Sequence, residues 1–412
     1  MDSLSDRLKS LGFKPAASVQ KLASQSREKL ETVISGREIS NSAGSFVIKE
    51  QLYPLDYQHG KIKFPTEIST ANINRSARIE SRPDALNRML FIDTETSGLS
   101  GGAGTFAFLI GIGWFQADGF RLQQLIIRDP SEEPAMLLFL SNIIDLDTIF
   151  VSFNGKSFDI PLVQNRFILN RMPCRLRELD HIDILHISRK LWRKHLPSCT
   201  LKDLEVAILE FSRSSEDIPG WMIPDIYFAY LRTGNPDGLS NVIYHNAQDV
   251  VSLAALFIHI TNILETEQPN QEISTNELIA ISRIYWELGS YEVAWSILQH
   301  CKSRKLNQEQ TRSVFSMLGK FYKNNRDYGE AAKNWEIAAH NGDLYACIEM
   351  AKYKEHIIRD IESALEWCEQ CKQTLDTTDN PPISMGFQKE LEKRITRLQM
   401  KGMNHVQKTH EG

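Results

Sequence analysis

Four carboxylates stand out in three short segments: Asp93 and Glu95 in FIDTETSGL, Asp159 in FNGKSFD, and Asp249 in YHNAQDV. Asp93 and Glu95 follow the apolar run RMLFI, which places them near the C-terminal end of a buried strand, and the two-residue period of a strand points both side chains to one face. Two carboxylates held together repel each other. A divalent cation relieves that repulsion, and oxygen donors without Cys or His beside them suit Mg2+ or Mn2+ rather than zinc. Asp159 and Asp249 come from separate downstream elements, as the ligands of a two-metal phosphoryl-transfer site do; two ions there would activate a water and stabilise the leaving oxygen of an in-line displacement. An Asp-x-Glu after a strand is also a common turn sequence, so the weight rests on the ordered set. It runs from the strand-end Asp93-x-Glu95-Thr96, through Asn154-Gly-x-x-Phe158-Asp159 after the apolar strand TIFVSF, to Asp249 within the helical run LSNVIYHNAQDVVSLAAL.

In this order the motifs resemble the DEDD group of ribonuclease-H-like 3′–5′ exonucleases, which share Asp-x-Glu, then an Asn shortly before Phe/Tyr-Asp, then a last Asp preceded by His or Tyr. The resemblance covers residues 88–262. More narrowly, DTETSGLSGGAG, RDPSEEPA, FNGKSFDIPL, HIDILH with LPSC, and HNAQDVVSL are similar to the YprB group of that superfamily, whose members commonly carry helical repeats after the nuclease domain. The resemblance implies hydrolysis of phosphodiester bonds from a 3′ end of single-stranded RNA or DNA, with two Mg2+ or Mn2+ ions held by Asp93, Glu95, Asp159 and Asp249. Thr96 and Asn154, inside the same motifs, are expected to touch substrate.

The residue that would serve the attacking water departs from the better-known patterns, which place Tyr four residues before the last Asp or His five before it. Here His245 holds the fourth position and Tyr244 the fifth. Residues i and i+4 share a helix face better than i and i+5, which favours His245 as the partner of Asp249. An imidazole also titrates near neutrality and can act as a base. Hydrogen bonding to a neighbour is the plainer alternative for His245.

Between Asn165 and Glu205 the chain carries nine Lys/Arg against five Asp/Glu, a local excess of four, although the whole chain is at −5. Arg189, Lys190, Arg193 and Lys194 recur on the amphipathic segment ILHISRKLWRKHL and could meet backbone phosphates, or form a solvated helix face. Trp192 reads as core. The glycine-rich SGLSGGAG would let a backbone approach a phosphate closely, but no Lys-Ser/Thr follows it and no GxGxxG opens a helix, which disfavours an NTPase or a dinucleotide enzyme. His181, Asp183 and His186 in HIDILH invite a metal reading, yet a strand end running into a helix start points them in mixed directions, so packing or supporting roles are expected. Ser198 and Cys199 lack a nucleophile–base arrangement.

These residues need elements to hold them. Strands are expected at RMLFID, TFAFLIGIGWF, FRLQQLIIR and TIFVSF with a short one near HID, and helices at EEPAMLLFLSNII and DIPLVQNRFILN: an α/β ribonuclease-H-like domain with a mixed central sheet and flanking helices. Residues 1–87 read as a leader, with an amphipathic helix over 1–35 and a small hairpin around Gly60 in 45–65. The polar stretch 263–275 reads as a linker. Residues 276–375 then read as an all-α tetratricopeptide-like solenoid, from Tyr285, Gly289, Tyr291 and Ala294, from Leu318, Gly319, Tyr322, Tyr328, Ala331, Trp335 and Ala338, and from Ala364 in a weaker copy. Small residues there would let paired helices approach while aromatics fill the interface. Residues 376–412 read as a charged helix and tail.

At 412 residues, 42% apolar and 24% charged, the composition fits a soluble globular protein of two or three units. No run of about 18 apolar residues is apparent and the N-terminus does not read as a signal peptide, so a cytosolic protein with no membrane contact is expected. Cys368 and Cys371 lie three apart on a helix face, and scattered reduced thiols are expected rather than disulfides or a zinc site. Two other functions use the same features: an adaptor that binds nucleic acid and takes a protein partner on its repeats, and a hydrolase of small phosphoesters. Four converging carboxylates repel phosphate when no metal is present, which counts against the adaptor.

Overall fold

The computed structural model describes residues 30–65, 67–79, 85–98, 104–265, 273–377 and 385–410. The helix expected in residues 1–35 falls mostly outside these, as do positions 99–103 of the glycine-rich turn and most of the expected linker. The chain divides into two compact units, Met1–Glu265 and Thr266–Gly412.

In the first unit, a short helix α1 (Leu30–Val33) leads into β1 (Arg37–Asn41) and β2 (Gly44–Pro54), then a small hairpin of β3 (Gln58–His59) and β4 (Ile62–Lys63), and α2 (Ala71–Ala77). There follow β5 (Met89–Thr96), β6 (Ala107–Gln116), β7 (Gly119–Ile126), α3 (Glu133–Ile143), β8 (Ile149–Ser152), α4 (Asp159–Leu169), β9 (Asp180–Asp183) and α5 (Ile184–Trp192). The unit closes with α6 (Leu201–Leu204), a wide turn over Glu205–Leu209, α7 (Ile223–Thr233) and the long α8 (Leu239–Glu265).

Seven strands form one mixed sheet in the order β1-β2-β7-β6-β5-β8-β9. The β5, β6 and β7 meander is antiparallel, whereas β8 and β9 run parallel to β5. The segment read as a leader therefore supplies two strands of the central sheet, because β2 pairs with β7 from Val47–Ile126 to Pro54–Gly119. Met89 to Ile92 are all buried, the pattern of a strand covered on both faces. Helix α8 packs across β5, β6 and β7, and Phe257 on it meets Phe91 of β5 edge to face at 5.4 Å.

Among the described residues α8 is long and apolar enough, by length and composition, to cross a membrane, where the sequence was expected to hold no such run; 78% of its apolar window is buried inside the protein. It is the core helix of this unit.

The second unit is helical: α9 (Thr275–Glu287), α10 (Tyr291–Lys302), α11 (Gln308–Asn324), α12 (Tyr328–His340), α13 (Leu344–Tyr353), α14 (Ile361–Thr377) and α15 (Met385–His410). Successive helices pack on one another. Ala294, Ala331, Ala338 and Ala364 are fully buried. A Cβ at Gly319 would stand 2.4 Å from the Trp335 ring, so the indole can lie against α11 only over a glycine. Tyr285 and Trp335 fill the interior as expected, but Tyr291 and Tyr328 do not: each opens a helix and is 45% and 39% exposed, respectively. All six cysteines are free thiols.

Candidate metal centre

Strands β5, β8 and β9 run parallel, so their C-terminal ends lie along one edge of the sheet, where α/β proteins commonly place ligands. Asp93 and Glu95 close β5, with a register shift between Glu95 and Thr96. Asp159, which follows the loop after β8, is the first residue of α4. His245 and Asp249 lie one turn apart on α8.

Glu95 and Asp159 are each only 9% exposed. Burial, and then the charges of Asp249 and Asp159, drive Asp93 well above the ordinary carboxylate range, against an opposing hydrogen bond from Asn246 and the charge of Arg213. Burial and then Asp93, Asp249 and Asp159 do the same to Glu95. Burial pushes Asp159 up to about 6, opposed by the Thr94 hydroxyl, which donates to its Oδ1 at 2.5 Å. Asp93 and Glu95 thus both feel the charges of Asp159 and Asp249, with the Arg213 guanidinium opposing them.

Asn246 Nδ2 donates to Asp93 Oδ2 at 2.8 Å. Asp93 pairs with Gly111 across the β5–β6 ladder. The Arg213 guanidinium holds Asp249 on Oδ1, and His245 Nε2 lies 3.3 Å from Oδ2. Arg213 also forks on Glu205, with Nε to Oε2 at 2.8 Å and Nη2 to Oε1 at 2.5 Å. Its Nη1 reaches Asp217 Oδ1 at 3.2 Å, and His245 Nδ1 lies 2.7 Å from that same Asp217 oxygen. Burial acts to raise the Asp217 carboxyl, but hydrogen bonds from Lys202 and His245 and the charge of Arg213 outweigh it and hold it below its usual range. An ionised Asp217 can only accept, so His245 Nδ1 carries the proton and Nε2 is the nitrogen turned to Asp249.

The donor chemistry fits a hard divalent cation, being rich in oxygen and pressed together in a buried place. The tightest grouping among the described residues is not the four carboxylates expected from sequence. Glu95, His245 and Asp249 bring donor atoms within 4.8 Å of one another. Asp93 and Asp159 are near enough to raise Glu95 but fall outside that group.

Of the other residues read from sequence, Thr96 donates to the Gly98 carbonyl at 2.8 Å. Asn154 has a left-handed backbone (φ 68°), which Asn tolerates, and its amide donates to Asp183 Oδ1 at 2.8 Å. Asp183 also accepts the amides of Lys156 and Leu185, bracing the loop that delivers Asp159 while capping α5. His181 Nε2 meets Ser152 Oγ at 2.7 Å, and burial with the nearby Lys156 charge lowers it to about 4. Both therefore have local structural roles, and His186 is exposed. Arg189, Lys190, Arg193 and Lys194 are exposed at the end of α5 and just beyond it, whereas Trp192 is buried and stacks on His259. Tyr244 accepts the Ser214 amide at 3.1 Å and lines a separate cavity of about 810 Å3 with Lys49, Tyr53 and Tyr57.

Arg213, Glu205, Asp217 and Asn246 were not singled out in the sequence. Asn246 had a signal, since it stands three residues before Asp249 on one helix face and the glycines of LIGIGW mark a close approach to that strand. The loop EFSRSSED offered none.

A family model for the RNase_H superfamily matches residues 90–261. The uncharacterized protein YprB of Bacillus subtilis (strain 168) is 31% identical over 367 residues, covering 86% of this chain and 86% of that protein. Among solved structures, the family B DNA polymerase from the hyperthermophilic archaeon Pyrobaculum calidifontis aligns at a TM-score of 0.34 with 14% identity, over 60% of this chain and 30% of the polymerase.

Proposed function

Because the chain belongs to one family with YprB of Bacillus subtilis and carries an RNase_H superfamily domain, we propose that it is a divalent-metal-dependent nuclease acting on single-stranded RNA or DNA in the cytosol as a DEDD-type 3′–5′ exonuclease. The observation that carries this reading is the gathering of Asp93, Glu95 and Asp159 beside Asp249, where burial raises the first three out of the ordinary carboxylate range and the charges of neighbouring carboxylates of the set add to it at Asp93 and Glu95. A site of that kind is stable in its charged form only with a cation.

Asp93, Glu95, Asp159 and Asp249 would hold two Mg2+ or Mn2+ ions, which when bound supply charge to the developing phosphorane and a more acidic water. His245 would take the proton of the attacking water at Nε2, since Asp217 fixes Nδ1 as the protonated nitrogen. Thr96 and Asn154 would line the scissile end. Arg189, Lys190, Arg193 and Lys194 would meet backbone phosphates farther along the strand. In this reading the nuclease domain over 88–262 is completed by β1 and β2, and the helical unit, over 276–375, is a tetratricopeptide-like repeat region that docks a protein partner. The Gly319–Trp335 packing and the buried alanines at repeat positions support it.

The test is incubation with 5′-labelled RNA and DNA plus Mn2+ or Mg2+, with EDTA and Asp93→Ala controls. A metal-dependent ladder that shortens from the 3′ end and is absent from the variant is expected. Intact, metal-binding protein that cleaves neither polymer would reject the exonuclease.

A further inference from the structure

We propose that Arg213 holds down the cation affinity of this centre: it occupies one carboxylate oxygen of Asp249, leaves the other turned toward His245, and its fixed charge sets how weakly the site takes cations. This rests on the reading of the carboxylates as metal ligands.

Arg213 is an unusual residue to find here. Its side chain is 4% exposed and lies against three carboxylates, of which Glu205 is 1% exposed, Asp217 5% and Asp249 17%. Glu205 takes the guanidinium in a two-point fork, the arrangement that best fixes an arginine in place. Glu205 begins the wide turn after α6 and packs against the core, so Arg213 is anchored from behind and is not free to follow a ligand. Nη2 bridges the two sides, bonding both Glu205 Oε1 and Asp249 Oδ1. With Oδ1 taken, Asp249 presents Oδ2 to the side where His245 Nε2 stands 3.3 Å away, and Glu95 belongs to the same tight donor group.

Two consequences of opposite sign follow. A fixed cation lets the carboxylates pack before any metal arrives, which favours folding of the metal-free protein. The same positive charge repels an incoming divalent ion across a few ångströms of buried space, which lowers affinity. Glu205 moderates that repulsion, because it neutralises the guanidinium from the far side. A purely structural arginine would predict otherwise: loosening it in any way would disorder Asp249 and weaken metal binding.

The experiment is Mn2+ titration, by calorimetry and by the Mn2+ electron paramagnetic resonance signal, of full-length metal-stripped protein, with thermal unfolding to establish that each variant is folded. Arg213→Gln is expected to bind Mn2+ about tenfold or more tightly than wild type, and Glu205→Gln to bind it about tenfold more weakly. Should Arg213→Gln fail to fold, the double variant Glu205→Gln/Arg213→Gln replaces a buried ion pair with neutral amides, which interiors tolerate better than half a pair. It should bind Mn2+ about tenfold more tightly than Glu205→Gln alone. Unchanged or weaker binding on removal of the arginine, in either background, would overturn the proposal. Wild-type protein that binds no Mn2+ would instead sink the metal reading itself, and this inference with it.

Discussion

The Asn246 side chain reaches the Asp93 carboxylate at 2.8 Å because residue 111, across the ladder from Asp93, has no side chain. A Cβ at Gly111 would stand 2.3 Å from Asn246 Oδ1 and 2.9 Å from Val250. Gly111→Ala should therefore push α8 away from the sheet, destabilising the protein by about 1–3 kcal/mol. It should also weaken Mn2+ binding, because Asp249 rides on the same helix. Denaturant titration and metal titration measure the two effects.

Asp93, Glu95 and Asp159 hold their protons more tightly folded than unfolded, Asp159 at about 6 against 3.8 and Asp93 and Glu95 in the same direction. Folding then takes up protons, and the contribution of these groups to stability is lost as pH rises from about 4 through 6 and above. His59 and His181, both lowered to about 4 by burial, push the other way, so a difference measurement is needed. In EDTA at pH 7.5, Asp93→Asn should melt about 2 °C or more above wild type, with the gap closing toward pH 5. Saturating Mn2+ should reverse the order. A variant less stable than wild type in EDTA at pH 7.5 would contradict the repulsion.

If His245 accepts the proton of the attacking water, His245→Gln should lower kcat about 100-fold or more while KM changes little. Asp217→Asn should show a milder version of the same split, since the amide can still meet Nδ1 but no longer stabilises a charged ring. A rise in KM with unchanged kcat would assign both residues to substrate binding.

Asp183 accepts three amides, those of Asn154, Lys156 and Leu185. Asp183→Ala should cost about 2 kcal/mol through the lost cap and loop bonds. It should also lower activity beyond what stability explains, because the freed loop carries Asp159. Asp183→Asn, which keeps an acceptor oxygen, should retain most of both.

What could be read in the chain were the features with a local cause. Strand alternation put Asp93 and Glu95 at the end of β5, the apolar run before Asn154 announced β8, and the helical spacing of His245 and Asp249 follows from a turn of 3.6 residues. Partners distant in sequence left no such mark. Nothing in residues 37–54 states that they pair with β7. Arg213 sits in a loop without periodicity, and its meaning comes from Glu205, Asp217 and Asp249, none of which identifies it alone. Tyr291 and Tyr328 stand at repeat-like positions, but their places at helix starts leave them outside the packed interior.

The pairing of β2 with β7 bears on where this protein can be cut. The RNase_H match begins at residue 90, and a fragment begun there would strip β7 of its neighbour from Val47 to Pro54. The eight residues of Gly119–Ile126, all buried but Arg121, would become an open sheet edge, a ready template for the same edge on another molecule. Such a fragment should collect as insoluble aggregate, whereas one beginning at Leu30 should remain dispersed; the RNase_H-like fold is defined at its N-terminal side by a hairpin rather than by its first acidic motif.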